Sequence, residues 1–496
     1  MKVLKANPGA KRLIESLRNM GYECSTAIAD LVDNSIAAHA SEIHVEISAQ
    51  HGSRPASIVI ADNGSGMDRD QLHEAMRFGA FQEYTADDLG KYGLGLKTAS
   101  LSQCRTLTVS SKPKARRDTR PRRHYMRWDI DYVYDTDDWD LLAPVEDELP
   151  EWEADALSHE VARENGTVVL WTHLDEALPL LSAHDVRARE KFLAGLIDEV
   201  SRHLRMVFHR FMQGAVTGHR KLAIYVCGER LTPWDPFCRD EKTRELDIVR
   251  LPVSYRSDDV SERMTQVTVS PFILPREDEF SSPVAWRDAS GPRNWNQQQG
   301  FYFYRNNRLL QAGGWSWLRA VDEHTKLLRV AVDFSRDLDR AFAINITKMR
   351  ARVPAEIRDR VASSVSTWAK LARERYDRAP TGRRGGGAPK ATKTEGDARR
   401  SDAPPVVTVG PLVFQQSNAP SQRLTITDAG RNGQLKVLVP KNHDLAGIFE
   451  ARSAADGDLR KVCLAALSVL EAVYERRMPV DQIPIAALKK ALRRYL

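Results

Sequence analysis

Apolar residues recur on a helical period from Thr26 to Ala37, which predicts a helix at the start of the chain. Strand-like runs follow at residues 43–47 and 57–61, and another pair at 106–110 and 125–130 brackets a long hairpin loop. Beyond residue 175 the pattern predicts a long helix over 183–208, several strands, a strand–turn–strand unit at 300–310 and a closing helix over 354–375. Residues 406–409, 423–426 and 435–439 read as short strands, and 459–476 and 485–495 as amphipathic helices. No internal repeat interrupts this order.

Between the two helix-rich parts the pattern lapses. Residues 378–402 carry seven Lys or Arg against three Asp or Glu around the core Gly385-Gly386-Gly387-Ala388-Pro389. Such a stretch buries too little apolar surface to fold, so a flexible basic linker is expected over 378–405. The expected organisation is a first domain over 1–175, a second over 176–377, the linker, and a small C-terminal domain over 406–496.

Composition narrows the class. The 496 residues are 42% hydrophobic and 28% charged, with a net charge of +6, which excludes a mainly disordered or collagen-like chain. No apolar run approaches the ~20 residues that cross a bilayer, and no signal-peptide core stands at the N-terminus, so no membrane partner is expected. The five cysteines are scattered without a CxxC pair, which points to a reducing cytoplasm rather than a disulfide framework or a thiolate zinc site. A second basic cluster, from Lys112 to Arg123, lies in the hairpin loop; a solvated loop and a nucleic-acid contact both remain open for it.

Four segments carry chemistry. On the first helix, Asp30 and Asn34 are four residues apart and share a face. A carboxylate and an amide oxygen aimed at one point suit a hydrated Mg²⁺ with a water beside it. Ala61-Asp62-Asn63-Gly64-Ser65-Gly66-Met67 directly follows a strand. A carboxylate there can accept the exocyclic amine of a base, and the glycines let the backbone approach a flat ring. Gly90-Lys91-Tyr92-Gly93-Leu94-Gly95-Leu96-Lys97-Thr98-Ala99-Ser100 places three glycines before a helix, an arrangement that offers backbone N–H groups to phosphate. Gly166-Thr167-Val168-Val169-Leu170 opens a strand with a hydroxyl. Each segment alone also fits a wet helix face, a turn, a loop or an ordinary strand.

In this order and spacing the four segments resemble the GHKL ATPases, the superfamily of gyrase B subunits, MutL repair proteins, heat-shock chaperones, histidine kinases and MORC proteins. The resemblance implies a Bergerat-fold ATP-binding sandwich over 1–175 followed by a transducer-like domain; it does not extend to the small C-terminal α+β domain that the residue pattern gives, and the expected chain is α+β throughout. It implies that Asn34 holds Mg²⁺ and that Asp62 binds the adenine amine with Thr167 close by through water. Gly64, Gly66 and Met67 would surround the base, and Gly90, Lys91, Tyr92, Gly93, Leu94, Gly95, Leu96 and Lys97 would form the lid over the phosphates.

One position departs from the family. Asp30 stands where the superfamily usually has the glutamate base, one methylene longer. The resemblance makes Asp30 the general base, with either a compensating backbone or slow hydrolysis. Asp33 is expected to be the poorer candidate, because adjacent helical residues do not face one point. In the second domain, Tyr304-Arg305-Asn306-Asn307-Arg308 resembles the N-x-R hairpin of the MutL and MORC transducer. Residues 343–348 read as a strand ending in Lys348, the candidate for the transducer lysine that reaches the γ-phosphate.

The branch resembled is the prokaryotic MORC/MutL-like group associated with restriction-modification or anti-phage systems. A phospho-accepting His helix, a topoisomerase tyrosine domain and a MutL-type metal motif all lack candidates; residues 406–496 hold only His443. The resemblance implies an ATP-dependent homodimeric clamp on DNA in a defence or repair-like system, served by a separately encoded nuclease or helicase. A nucleotide-gated scaffold with little turnover and a chaperone-like ATPase acting on proteins are the alternatives.

Overall fold

The computed structural model describes residues 8–19, 21–51, 54–79, 95–115, 121–177, 186–256, 262–316, 318–344 and 353–378, and the strands at 406–409, 412–417, 425–428 and 435–440. The architecture is α+β, and the chain forms two compact units, Met1–Arg383 and Arg384–Leu496.

Unit one is built on two sheets. The first runs in the order β4-β3-β5-β2-β1-β6-β7. Its strands are β1 (Glu42–Ser48), β2 (Ser57–Asp62), β3 (Thr106–Lys112), β4 (His124–Asp129), β5 (Gly166–Thr172), β6 (Ala223–Val226) and β7 (Glu229–Arg230). All its pairs are antiparallel except β1 with β6. β1 alternates, burying Ile43, Val45 and Ile47, whereas β2 is buried at every position because both faces of the sheet are covered.

The larger layer holds α1 (Ala10–Arg18), α2 (Cys24–Ala37), α3 (Arg69–Met76), α4 (Gly95–Leu101), α5 (Ile130–Thr136), α7 (Val186–Val207) and α8 (His209–Gln213). On the other face α6 (Glu151–Leu157) and the turns around it close a smaller core on Val59, Ala61, Val168 and Leu170. The boundary read near residue 175 precedes α7, β6 and β7, which complete this first sheet and its core. No local pattern announces that β6 pairs with a strand some 180 residues earlier; the parallel register Ile43↔Ile224 is a product of packing.

The second sheet comprises β8 (Arg244–Glu245), β9 (Val249–Arg256), β10 (Glu262–Ile273), β11 (Gly300–Arg305), β12 (Arg308–Ala312) and β13 (Leu328–Phe334). The short helices α9 (Pro283–Ala289) and α10 (Trp295–Gln298) precede β11, and α11 (Ala355–Asp377) closes the core with Ile357, Val361, Val365 and Trp368. The expected turn is present: Asn306 and Asn307 take left-handed φ values of 46° and 65°, which joins β11 to β12 in a tight hairpin.

The strand expected from residue 343 does not start there. Ala343 has a φ of 48°, which no strand accommodates, and Ala343 and Ile344 lie outside regular structure. Lys348 lies outside the described residues. In unit two the described strands are β14 (Val406–Val409), β15 (Leu412–Ser417), β16 (Thr425–Asp428) and β17 (Leu435–Pro440), in the order β14-β15-β17-β16. β15 had no counterpart in the sequence pattern, and the two expected C-terminal helices lie outside the described residues. Among the described residues, no helix is long and apolar enough to cross a membrane.

Candidate functional site

Helix α2 is buried almost all round, because it lies between the sheet, α4 and α7. Asn34 and Ala37 are its exposed positions. An exposed amide on an otherwise buried helix is a group held out to solvent rather than one wet face among many.

One residue further on, Ser35 is buried and donates its hydroxyl to Oδ2 of Asp62 at 2.8 Å. Asp62 ends β2 and is 5% exposed. Its Oδ1 accepts the backbone N–H of Gly64 at 2.8 Å and that of Thr167 at 3.4 Å. Burial pushes the Asp62 carboxyl above its ordinary pKa, and these three donors oppose that shift. The carboxylate is therefore held in one orientation at the mouth of the sheet.

The loop after Asp62 is pinned on every side. Asn63 accepts the backbone N–H groups of Ser41 and Glu42 at 2.9 and 3.0 Å, and Ser65 N–H donates to the Ala38 carbonyl at 2.9 Å. Asn165 donates to the carbonyls of Gly64 and Asn63 at 2.5 and 3.2 Å. Gly64 abuts the end of α2, where a Cβ would stand 2.8 Å from that of Ala38. Gly66 has a φ of 64°, and a Cβ there would fall 1.9 Å from the Lys112 carbonyl oxygen. Met67 donates its N–H to Ser111 Oγ at 2.9 Å. The Thr167 hydroxyl shares a 2.9 Å bond with the same Ser111 and lies opposite Asp62 in the β2–β5 register.

Of the glycine-rich loop, Gly90, Lys91, Tyr92, Gly93 and Leu94 lie outside the described residues. Gly95 starts α4, Leu96 is half-buried, and Lys97 is 1% exposed. Lys97 donates its ammonium to the Ala75 carbonyl at 2.9 Å, and burial lowers its pKa to about 8.

Asp30 is brought to a different set of partners from those its sequence neighbourhood suggested. It is 3% exposed. Tyr22 donates its hydroxyl to Oδ2 at 3.1 Å, and Arg308 donates Nη2 to Oδ1 at 3.3 Å. The same guanidinium bonds Asp33 through Nε at 2.9 Å. Asp30 and Asp33 are three apart on α2 and so face one cation together. Burial and the charge on Asp30 push the Tyr22 hydroxyl well above its ordinary pKa, which keeps it a donor.

Sequence reasoning missed Ser35, Asn63, Ser111, Asn165 and Tyr22 as members of the site. A buried polar residue one step from an exposed asparagine was the available signal for Ser35. For Asn63, Ser111 and Asn165 the partner is distant in the chain and no local spacing marks it; Tyr22 stands eight residues before Asp30 but ahead of α2, where helical spacing does not link the two.

This arrangement can take a purine on its amine edge at Asp62, at the end of β2, and present an amide oxygen at Asn34 on α2, next to the Ser35 that holds Asp62. The donor set fits Mg²⁺, which takes hard oxygen ligands and keeps most of its water.

Residues 22–167 match the family model described as histidine kinase-, DNA gyrase B-, and HSP90-like ATPase. No curated protein matches the chain. A solved structure described as "Crystal Structure of N terminal domain of a DNA repair protein" is 15% identical with a TM-score of 0.37, covering 73% of this chain and 97% of that chain. The matched segment runs from Tyr22 through α2, the Asp62 loop and α4 to Thr167, and it is a GHKL-type ATPase domain.

Proposed function

We propose that this chain binds ATP with Mg²⁺ and hydrolyses it, and that nucleotide turnover drives a two-copy clamp acting on DNA. The observation that carries the nucleotide part is the Ser35–Asp62 bond, which fixes the base-binding carboxylate to the helix that displays Asn34. Asp62 accepts the adenine amine, Gly64, Gly66 and Met67 shape the floor, and the Thr167 hydroxyl serves the ring through water. Gly90, Lys91, Tyr92, Gly93, Leu94, Gly95, Leu96 and Lys97 form the lid segment, and Lys348 is the cation assigned to the γ-phosphate. Asn34 would hold Mg²⁺, which when bound neutralises charge on the phosphates. Asp30 accepts the proton of the water that attacks the γ-phosphorus, as ADP leaves with its oxygen.

The DNA reading rests on fewer side chains than the charge run suggested. Lys112 donates to the Arg163 carbonyl, and Arg123 to the carbonyls of Leu157 and Ala162 at 3.2 and 2.6 Å, so both serve the fold. Lys114 and Arg122 are the exposed members among the described residues.

The test is ATP turnover by wild type, Asp30→Asn and Asn34→Ala, each with and without duplex DNA at low and high salt. The proposal expects turnover that DNA stimulates in a salt-sensitive way and that both variants lose. Turnover unaffected by Asp30→Asn removes the base and favours a nucleotide-gated scaffold. Turnover indifferent to DNA removes the clamp on nucleic acid and leaves the ATPase.

A further inference from the structure

Arg308 reaches the ATPase domain from outside it. It opens β12 in the second sheet, 275 residues after Asp33, and is 2% exposed. Its planar fork is divided between two carboxylates on α2: Nε serves Asp33 at 2.9 Å and Nη2 serves Asp30 at 3.3 Å. Buried like charges on one helix face repel, and a single guanidinium between them offsets that repulsion while fixing both side chains. Beside this trio stand the Tyr22 hydroxyl on Asp30 and His203 on α7, an imidazole whose pKa burial and the Arg308 charge lower.

The hairpin that carries Arg308 is itself braced. Arg305, on the strand before it, makes a buried two-bond contact with Asp339 at 2.7 and 3.0 Å. Arg210 on α8 pairs with Asp333 and lies 3.5 Å over the ring of Tyr304, whose hydroxyl meets His209 Nε2 at 2.8 Å. Arg308 therefore extends from a braced platform, not from a loose loop.

We propose that Arg308 is the positioning residue for Asp30: anchored on Asp33, it sets the direction of the Asp30 carboxylate and so makes chemistry on α2 depend on the seating of the β11–β12 hairpin. This rests on the reading of Asp30 as the base. Aspartate has one methylene less than glutamate with which to correct its aim, so the position depends more heavily on an external guide.

The test uses the full chain as wild type, Asp30→Asn, Arg308→Ala and Arg308→Lys. It reads kcat and KM for ATP, the equilibrium affinity for a non-hydrolysable ATP analogue with Mg²⁺, and the melting curve. Arg308→Ala is expected to lower kcat by ~10²-fold, the cost of a misplacement of about 1 Å, with analogue affinity and KM held within ~3-fold. Arg308→Lys falls between, because one ammonium keeps the charge but loses the fork.

Arg308→Ala turning over within ~2-fold of wild type, while Asp30→Asn is dead, overturns the positioning role and leaves the base in place. Analogue affinity that drops in step with kcat in both Arg308 variants also overturns it, as a general structural lesion. Wild type no faster than Asp30→Asn overturns the base reading and the positioning role together. If Arg308→Ala does not fold, Arg308→Lys must show the same split of kcat from affinity, and its absence overturns the proposal.

Discussion

Ser35 Oγ and Asp62 Oδ2 lie 2.8 Å apart, and the bond joins the last turn of α2 to the last residue of β2. Through it the residue beside Asn34 holds the carboxylate at the other end of the site. Both partners are buried, so the bond has little competition from water. Replacing Ser35 by Ala removes one of three donors to Asp62 and leaves the Gly64 and Thr167 N–H groups. A hydrogen bond to a charged group contributes about 1.5–3 kcal/mol, so Ser35→Ala should weaken ATP binding by roughly 10- to 100-fold, read by calorimetry. Asp62→Ala should abolish binding. Unchanged affinity in Ser35→Ala would show that the carboxylate's orientation does not depend on this bond.

The parts of this site that were legible in the sequence are those whose signal is local. The helix around Asp30 and Asn34, the strand ending at Asp62, the glycines that follow and the Asn306-Asn307 turn each lie within a dozen residues. What was not legible is what the fold brings from far away. Asp33 reads as the poorer candidate because it adjoins Asn34, yet its three-residue spacing from Asp30 turns both to Arg308, a partner 275 residues further on that no spacing on α2 could name. The same holds for β6, which joins the first sheet across the boundary read near residue 175. At Ala343 a strand-like composition lost to a left-handed backbone at the end of a turn.

Gly66 is required by geometry on two counts, a φ of 64° and a Cβ position 1.9 Å from the Lys112 carbonyl oxygen. Gly21 shares a φ of 71° but has open space around it. Gly21→Ala should therefore cost about 1 kcal/mol, the backbone penalty alone. Gly66→Ala must also move β3 or the loop, and should cost at least ~3 kcal/mol and weaken ATP binding. Denaturant unfolding of the two variants side by side measures the difference. Equal losses would mean that the loop shifts freely, contrary to its pinning by Asn63 and Asn165.

Arg305 and Asp339 are 1% and 3% exposed in their side chains and meet through two bonds at 2.7 and 3.0 Å. Removing one partner of a buried pair leaves the other charge desolvated, which costs about 3–5 kcal/mol. Asp339→Ala should destabilise unit one by that amount in urea unfolding. Because Arg305 precedes the turn that presents Arg308, a milder variant that still folds, Asp339→Asn, should lower kcat for ATP more than it alters ATP affinity. A loss of affinity without a loss of kcat would separate the hairpin from the chemistry on α2.

Lys97 gives the pH prediction. Its ammonium is buried, and its pKa falls from 10.5 to about 8 because burial disfavours the charged form, with Glu74 acting in the opposite sense. Below pH 8 the folded and unfolded chains both hold the proton, so this group adds no slope. Between pH 8 and 10.5 the unfolded chain keeps a proton that the folded chain has released, and stability rises with pH. Cys24 works against this at the alkaline end, since burial raises its pKa from 9.0 to about 12 and its contribution declines as pH climbs through that interval. The two are separated by difference. Wild type and Lys97→Met should run parallel in unfolding free energy from pH 6 to about 7.5. Above pH 8 wild type should gain on the variant by up to ~3 kcal/mol, levelling off beyond 10.5. Curves that stay parallel to pH 10.5 would mean that Lys97 keeps its proton in the folded chain, and that the Ala75 carbonyl and its surroundings sustain the charge after all.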